Sequence, residues 1–483
     1  MATLEDASMS KTPTKKPRRS AAGAPTPYLS ADERFAQGRA LRDELPRRLH
    51  AGWKPHAGRR DPVEIVVESN AGRIEELIPI RFGRMAASPF AFYRGSAALM
   101  AADLAHTPTS GLRVQACGDA HLLNFGAFAT PERHIIFDIN DLDETLPAPF
   151  EWDLKRLAAS VVIAAEHLGH ATSDAARVAM DLVREYRERM IDYASMRALD
   201  VWYDVIDVQK FADRLDDPAL AAMVHKRFAE RFEKEQRKSV PDFLYPKLVS
   251  EEGTRPRIKD EPPLIFHPTA EMAPGVKTGF DEVIAAYRAS LPEHTRTLLD
   301  RFHFFDIAIK VVGVGSVGTM CSVALFMAGD DDPLFLQVKE ARPSVLEPYA
   351  GKSLHANHGQ RVVVGQHLMQ TASDIFLGWM TAKNGRDYYV RQLRDVKISA
   401  VIEDWDATVL RTYARICAHA LARAHARTGD AAMMAGYMGS GRSFDDVIGE
   451  FAIEYAAQNR SDYRAFVRAI REGRIQATVE TQV

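Results

Sequence analysis

Cysteine is scarce: Cys117, Cys321 and Cys417 are the three in 483 residues, far apart and without Cys-x-x-Cys spacing. That excludes a disulfide framework and a thiolate zinc site. An excess of one charge is also missing. The 62 Lys and Arg stand against 65 Asp and Glu, giving a net charge of -3 and a pI near 6.6. The chain therefore has no broad positive field, and no nucleic-acid partner is expected. Long apolar runs are absent too. A stretch such as "LAASVVIAA" (157–165) is well short of a membrane span, and the start lacks the apolar core of a secretory signal. A cytoplasmic protein without membrane contact is the expectation, and no internal repeat is visible.

What is present is a globular composition, with 46% hydrophobic and 26% charged residues, in a chain long enough for two or three domains. Residues 1–29 read as a disordered tail: Pro, Ser, Thr and Ala without apolar period, with five Lys and Arg between positions 11 and 19. Ser30 followed by Glu33 predicts a capped helix start, with the helix running to about Leu45 before Pro46. Residues 30–300 predict a mainly helical lobe. It is interrupted by two strand signals, "LRVQA" (112–116) and "HIIFDIN" (134–140), by an Asp217-Pro218 cap and first-turn pair, and by a Pro-rich break at 253–276. Residues 301–400 predict a small antiparallel sheet of short β-branched and aromatic runs, with one inserted helix, "GQRVVVGQHLMQ" (359–370). Residues 401–483 are helical again and expected to pack on the first lobe. The fold class expected is α+β.

Gly313, Gly315 and Gly318 form a G-x-G-x-x-G, a pattern shared by dinucleotide folds and kinase phosphate loops. A dinucleotide site needs a helix opening at the last glycine. Here "TMCSVALF" alternates like a strand, an acidic Gly-Asp turn follows, and "LFLQVK" reads as another strand. A glycine loop between antiparallel strands followed by a lysine on the next strand is the arrangement that covers ATP and pairs its phosphates, with Lys339 as that lysine.

The stretch "ACGDAHLLNFG" (116–126) supplies the complementary half. Asp119 suits orientation and deprotonation of an acceptor hydroxyl, and Asn124, five positions later, suits magnesium. A strand, a Thr-Pro-Glu-Arg turn and a second strand then lead to Asp138 as the expected second magnesium ligand, an oxygen donor of the hard type this ion takes. Singly, Asp119 also fits a turn cap, and Asp138 with Asp141, Asp143 and Glu144 fits a solvated acidic loop. His121 is expected to hold the loop by hydrogen bonding or to pack. Asp153 in "FEWDLKRLAAS" opens an apolar helix and fits an N-cap.

The segments "SPFAFYRG", "CGDAHLLNFG", "FDINDLDET", "WDLKRLAAS", "KVVGVGSVGT", "FLQVKEA" and "YYVRQLRDVK" resemble the bacterial domain of unknown function 2252 family over nearly all the chain after about residue 30. Those motifs are in turn similar to the protein-kinase-like superfamily, nearest to aminoglycoside-phosphotransferase-like kinases. Cys117 stands where those kinases usually carry a histidine. The resemblance implies that Asp153 braces the catalytic loop and that the fold has two lobes. The catalytic and metal motifs precede the glycine loop and lysine, the reverse of the usual order. A circular permutation is therefore expected, with "LRTYARICAHALARAHARTGD" (410–430) as the helix that ordinarily leads into the catalytic loop.

The function expected is ATP- and Mg2+-dependent phosphoryl transfer to an unidentified hydroxyl, on a small molecule or a protein. The alternatives are a non-catalytic ATP-binding module and nucleotidyl transfer on the same scaffold. The carboxylate partner of Lys339 stays open between Glu347 and a substitute such as Gln366. Arg81, Arg84, Arg94 and the "RPRIK" loop (255–259) fit either an anionic substrate or plain solvation.

Overall fold

The computed structural model describes residues 28–213, 218–236, 244–250, 255–267, 280–311, 313–330, 332–393, 397–403 and 405–478. Residues 1–27 of the expected tail, Asp217, and part of the Pro-rich break lie outside the described residues. The protein is α+β, with a large, mainly helical core and a six-stranded antiparallel sheet.

The capped start holds as read. α1 (Ala31–Glu44) opens with the Ser30 hydroxyl accepting from the Glu33 amide at 3.2 Å, while the Glu33 carboxylate accepts from the Ser30 amide at 2.7 Å. Short helices follow: α2 (Pro62–Glu68), α3 (Ile78–Ala86), α4 (Pro89–Gly95) and α5 (Ala97–Leu104). β1 (Arg113–Ala116) then pairs antiparallel with β4 (Leu146–Pro149), and between them β2 (Phe125–Ala129) and β3 (Ile135–Ile139) form a hairpin. α6 (Phe150–His167) has every residue from Phe150 to Ala165 buried, the mark of a helix enclosed by others. α7 (Thr172–Ser195) lies against it. α6 begins three residues before Asp153, with Pro149 at the cap position, so Asp153 is inside the first turn and is not the N-cap.

α8 (Ala198–Tyr203), α9 (Val208–Ala212), α10 (Pro218–Gln236) and α11 (Tyr245–Leu248) lead to the two-residue strands β5 (Val249–Ser250), β6 (Arg257–Ile258) and β7 (Ile265–Phe266). α12 (Phe280–Ser290) and α13 (Glu293–Leu299) precede the main sheet. There β8 (His303–Lys310), β9 (Cys321–Met327) and β10 (Pro333–Ala341) form an antiparallel meander. After α14 (Glu347–Ala350) and α15 (His358–Met369), β11 (Gly378–Thr381) and β12 (Asp387–Gln392) complete the order β11-β12-β10-β9-β8-β7. All seven residues of β9 are buried because both faces are covered. Val323, Leu325 and Met327 join one cluster with Leu244 and Leu248, whereas Ala324 and Phe326 join another with Tyr287 and Leu291.

The late chain returns to the first lobe twice. β13 (Lys397–Ser399) leaves the main sheet and pairs with β2 in the register Lys397↔Phe128. α16 (Ala407–Thr428) then ends beside β1, where the Gln115 amide donates to the Thr428 hydroxyl at 3.1 Å. α17 (Ala431–Met438) packs on α1 and α18 (Ser443–Arg471) on α6 and α7, closing the large core. No helix among the described residues is long and apolar enough to cross a membrane.

Candidate active site

β1 feeds a loop whose backbone is held from below by α6. The Asp153 carboxylate accepts from the Cys117 amide at 2.5 Å and the Gly118 amide at 2.9 Å. Gly118 has φ +81°, and a Cβ there would sit 2.5 Å from the Glu144 carbonyl oxygen, so a side chain fits neither the conformation nor the space. A third contact reaches Asp153 from α16: His425 Nε2 lies 3.2 Å from Oδ2, while His425 Nδ1 faces the Tyr186 hydroxyl at 2.8 Å. A buried histidine on another helix thus holds the carboxylate that braces the loop.

The same turn of α6 fixes Asp119. Arg156 Nε donates to Asp119 Oδ1 at 2.8 Å, Arg156 Nη2 contacts the same oxygen, and the guanidinium lies 4.5 Å from the Tyr93 ring. Burial raises the Asp119 carboxyl above its ordinary value, with Arg156 opposing. Asp119 Oδ2 is left outside this clamp, 3.9 Å from His121 Nε2. His121 Nδ1 accepts from the Leu123 amide at 3.2 Å, so the imidazole does hold the loop, and burial followed by Arg94 pushes its pKa well below the ordinary value. Asn124 donates Nδ2 to the Asp119 carbonyl at 2.8 Å and keeps its side-chain oxygen for other use.

Lys339 crosses from the main sheet to this loop. Its ammonium is 2.7 Å from Asp143 Oδ2 and 3.9 Å from Asp141 Oδ2, and the Tyr389 hydroxyl donates to Asp143 Oδ1 at 2.6 Å. Burial works to lower the Lys339 pKa, but the two aspartates outweigh it and raise it well above the ordinary value. Burial likewise works against an ionised Asp143, but Lys339 and Tyr389 hold that carboxyl below the ordinary range. Burial and then Asp143 raise Asp141. The carboxylate partner of Lys339 is therefore neither Glu347, which faces His358 at 3.7 Å, nor replaced by Gln366.

Asp138 is not brought to this meeting. It is wholly buried, with Oδ1 accepting from Arg423 Nη2 at 2.5 Å and the Ile139 amide at 2.8 Å, and Oδ2 accepting from the Thr371 amide at 3.0 Å. Strand alternation turns it into the core, where Arg423 on α16 neutralises it. Asp141 and Asp143, beyond the end of β3, reach the cleft instead.

Two cavities meet here. The larger, about 600 Å³, is lined by Lys310, Gln337, Lys339, Gln366 and Arg391. The smaller, about 240 Å³, is lined by Asp119, His121, Asn124, Arg73, Arg94 and Arg342. Asp141, Gly313 and Ser316 line both. Gly313 and Gly315 lie at the cavities, with Gly313 at φ +67°. Gly318 does not: its carbonyl accepts from the Ile74 amide at 2.7 Å, so it anchors the loop to the first lobe. Arg73 and Arg84 fasten the same loop, donating to the carbonyls of Val317 at 2.5 Å and Gly313 at 2.6 Å.

Among the described residues no three acidic, histidine or cysteine side chains form a metal cage. Magnesium characteristically binds through one or two carboxylates together with substrate phosphates. The Asn124 oxygen with Asp141 provides a donor set of that kind, which Asp143 joins only on leaving Lys339 and Tyr389, whereas Asp138 is held inside the core by Arg423. Arg156, His425, Asp141 and Asp143 carry much of the site and were missed as functional residues. The legible signals were the acidic run "DLDE" and the arginine three residues after Asp153.

No match was found among curated proteins or among solved structures. A family model does match most of the chain, from within the segment preceding α3 to the last turn of α18. The protein therefore belongs to the bacterial family described as Uncharacterized protein conserved in bacteria (DUF2252), matched over residues 73–469.

Proposed function

We propose that this protein transfers a phosphoryl group from Mg-ATP to a hydroxyl, as a kinase-like phosphotransferase whose lobes occur in permuted order along the chain. The observation that carries the reading is the contact of Lys339 with Asp143, 196 residues apart, at a cleft whose other wall bears Asp119 and Asn124. The glycine hairpin above that cleft adds to it. The permuted order is supported by the end of α16 lying against β1, which puts a long helix directly before the loop of Asp119 in space though not in sequence.

In this reading Lys339 pairs with the triphosphate as it enters between the ammonium and the two aspartates. Asn124 and Asp141, with Asp143, would hold magnesium, which when bound neutralises charge on the phosphate oxygens. Asp119 orients the acceptor hydroxyl through Oδ2, because Arg156 keeps Oδ1. His121 stays neutral beside it. Positioning and charge neutralisation supply most of the rate.

One observation favours the second reading, a nucleotide-binding module without turnover: the Arg156 guanidinium occupies one oxygen of Asp119. The purified protein incubated with a metabolite extract and ATP labelled at either the γ- or the α-phosphate separates the readings. Phosphoryl transfer moves only the γ-label into a new product, and Asp119→Asn should slow it about a hundredfold or more while nucleotide binding survives. Transfer of the α-label indicates nucleotidyl chemistry. Binding without transfer of either label leaves the module.

A further inference from the structure

The smaller cavity carries an arginine cluster that the transfer reaction does not account for. Arg73, Arg81, Arg94 and Arg342 all line it, and none forms an ion pair with a carboxylate among the described residues. Three of them hold only neutral groups. Arg81 donates to the Asn70 side-chain oxygen at 2.7 Å and the Gly95 carbonyl at 2.8 Å, Arg73 to main-chain carbonyls, and Arg342 to the Ala71 carbonyl at 2.6 Å. Arg94 is largely buried, and its Nε has no hydrogen-bond partner.

Of the five carboxylates lining the cavity, Asp119 is committed to Arg156, Asp143 to Lys339, Glu340 to Arg386 at 3.1 Å and Glu144 to the Val345 amide at 2.7 Å, while Asp141 stands on the wall shared with the larger cavity. Guanidinium groups taken out of water without a counter-charge are unfavourable, and bringing several together adds repulsion. Burial lowers the pKa of Arg73 to about 10, with Arg342 adding to the shift, and it lowers Arg94 as well. Three guanidinium groups held only by neutral oxygens, and one with an unpartnered Nε, leave the cavity poised for an anion.

The position of the cluster matters as much as its charge. These arginines come from the first lobe and from the end of β10. They lie on the Asp119 side of the wall formed by Asp141, Gly313 and Ser316, whereas Lys339 and Arg391 line the other side. An anion held by them is separate from a triphosphate lying against Lys339.

We propose that the acceptor is a small hydroxyl compound bearing an oxyanion, a phosphate monoester or a carboxylate, which Arg94, Arg73 and Arg342 hold while its hydroxyl faces Asp119. This rests on the phosphotransferase reading for the word acceptor, though not for the anion pocket itself. Planar guanidinium forks suit either oxyanion through paired hydrogen bonds. Arg81, locked on Asn70 and Gly95, shapes the wall. Arg84, fastened to Gly313, lies outside the lining of this cavity, as does the "RPRIK" loop, whose Ile258 amide donates to Asp306.

Calorimetric titration of the full chain tests this, with and without saturating Mg-AMP-PNP, using inorganic phosphate, glucose 6-phosphate, gluconate and neutral glucose as probes up to about 10 mM. At least one anionic probe should bind in the presence of Mg-AMP-PNP while glucose does not. Arg94→Met and Arg342→Gln should each weaken that binding about tenfold or more, with Mg-AMP-PNP affinity changed less than about twofold. The relative binding of glucose 6-phosphate and gluconate identifies the preferred oxyanion. Arg342→Gln touches a partly exposed side chain and serves if Arg94→Met fails to fold. The proposal is overturned if no anion binds, if glucose binds equally well, or if the variants lose nucleotide and keep the anion. Absence of Mg-AMP-PNP binding to the wild type instead overturns the phosphotransferase reading, while arginine-dependent anion binding without it retains the pocket.

Discussion

Four acidic side chains within seven positions, Asp138, Asp141, Asp143 and Glu144, do different work because each meets a different partner. Asp138 balances Arg423 inside the core, Asp143 holds Lys339, Asp141 borders both cavities, and Glu144 accepts from the Val345 amide at 2.7 Å. Substitution should separate them. Asp138→Asn leaves a buried guanidinium without its counter-charge and should destabilise the fold by about 3 kcal/mol, measured as a lower urea midpoint. Asp141→Asn leaves the core alone, so its midpoint should move by less than about 1 kcal/mol. Magnesium-dependent nucleotide binding in titration calorimetry should nonetheless weaken about tenfold or more. The reverse pattern would return Asp138 to the metal site.

At the scale of elements, α6 is the organiser: a helix enclosed on all sides yet bearing Glu151, Asp153, Lys155 and Arg156. Two of these charges serve the loop above it. Asp153→Ala removes the acceptor for two buried amides and for His425, and should cost about 3 kcal/mol of stability. Turnover per folded molecule should drop as well, because the Asp119 loop loses its floor; an unchanged kcat would show that the loop holds itself. The 3-10 turn at Arg47–His50 provides a pH signature for the closing helices. His50 Nε2 lies 2.7 Å from the Tyr437 hydroxyl of α17, and burial, aided by the charge of Lys155, lowers its pKa from 6.5 to about 3. The unfolded chain takes up the proton first, so the stability present above pH 6.5 is lost as pH falls towards about 3. Between pH 6 and 5 this one group should change stability by about 1.2 kcal/mol, and His50→Phe should remove that change in urea titrations at the two pH values.

For the molecule as a whole, the cleft lies where the main sheet meets the first lobe, so a ligand bound by both should stabilise the whole fold. Mg-ATP at a hundredfold excess over its Kd should add about 2.7 kcal/mol and raise Tm by a few degrees, read in a thermal melt. Lys339→Ala should abolish most of the shift. No shift at millimolar Mg-ATP would argue against a nucleotide site between the parts. The returning segments make the coupling physical: β13 extends the β2–β3 hairpin, and Arg427 of α16 holds the Leu368 carbonyl in the last turn of α15 at 3.0 Å.

What the sequence determined by itself was local. The Ser30 capping box, the two strands around Asp119, the Gly313 hairpin and Lys339 on its third strand were legible because their signals are turn residues, alternation and caps within a few positions. The α+β class followed from the same patterns. Only the tertiary structure decided which acid faces Lys339, since that depends on how β3 ends and on Arg423, 285 residues from Asp138. It also decided that Arg156 takes one oxygen of Asp119, that His425 reaches Asp153, and that arginines from residues 73, 94 and 342 share one cavity. The physical reason is the same in each case: a buried charge is positioned by its counter-charge, and the chain brings counter-charges together from distances that no local pattern spans.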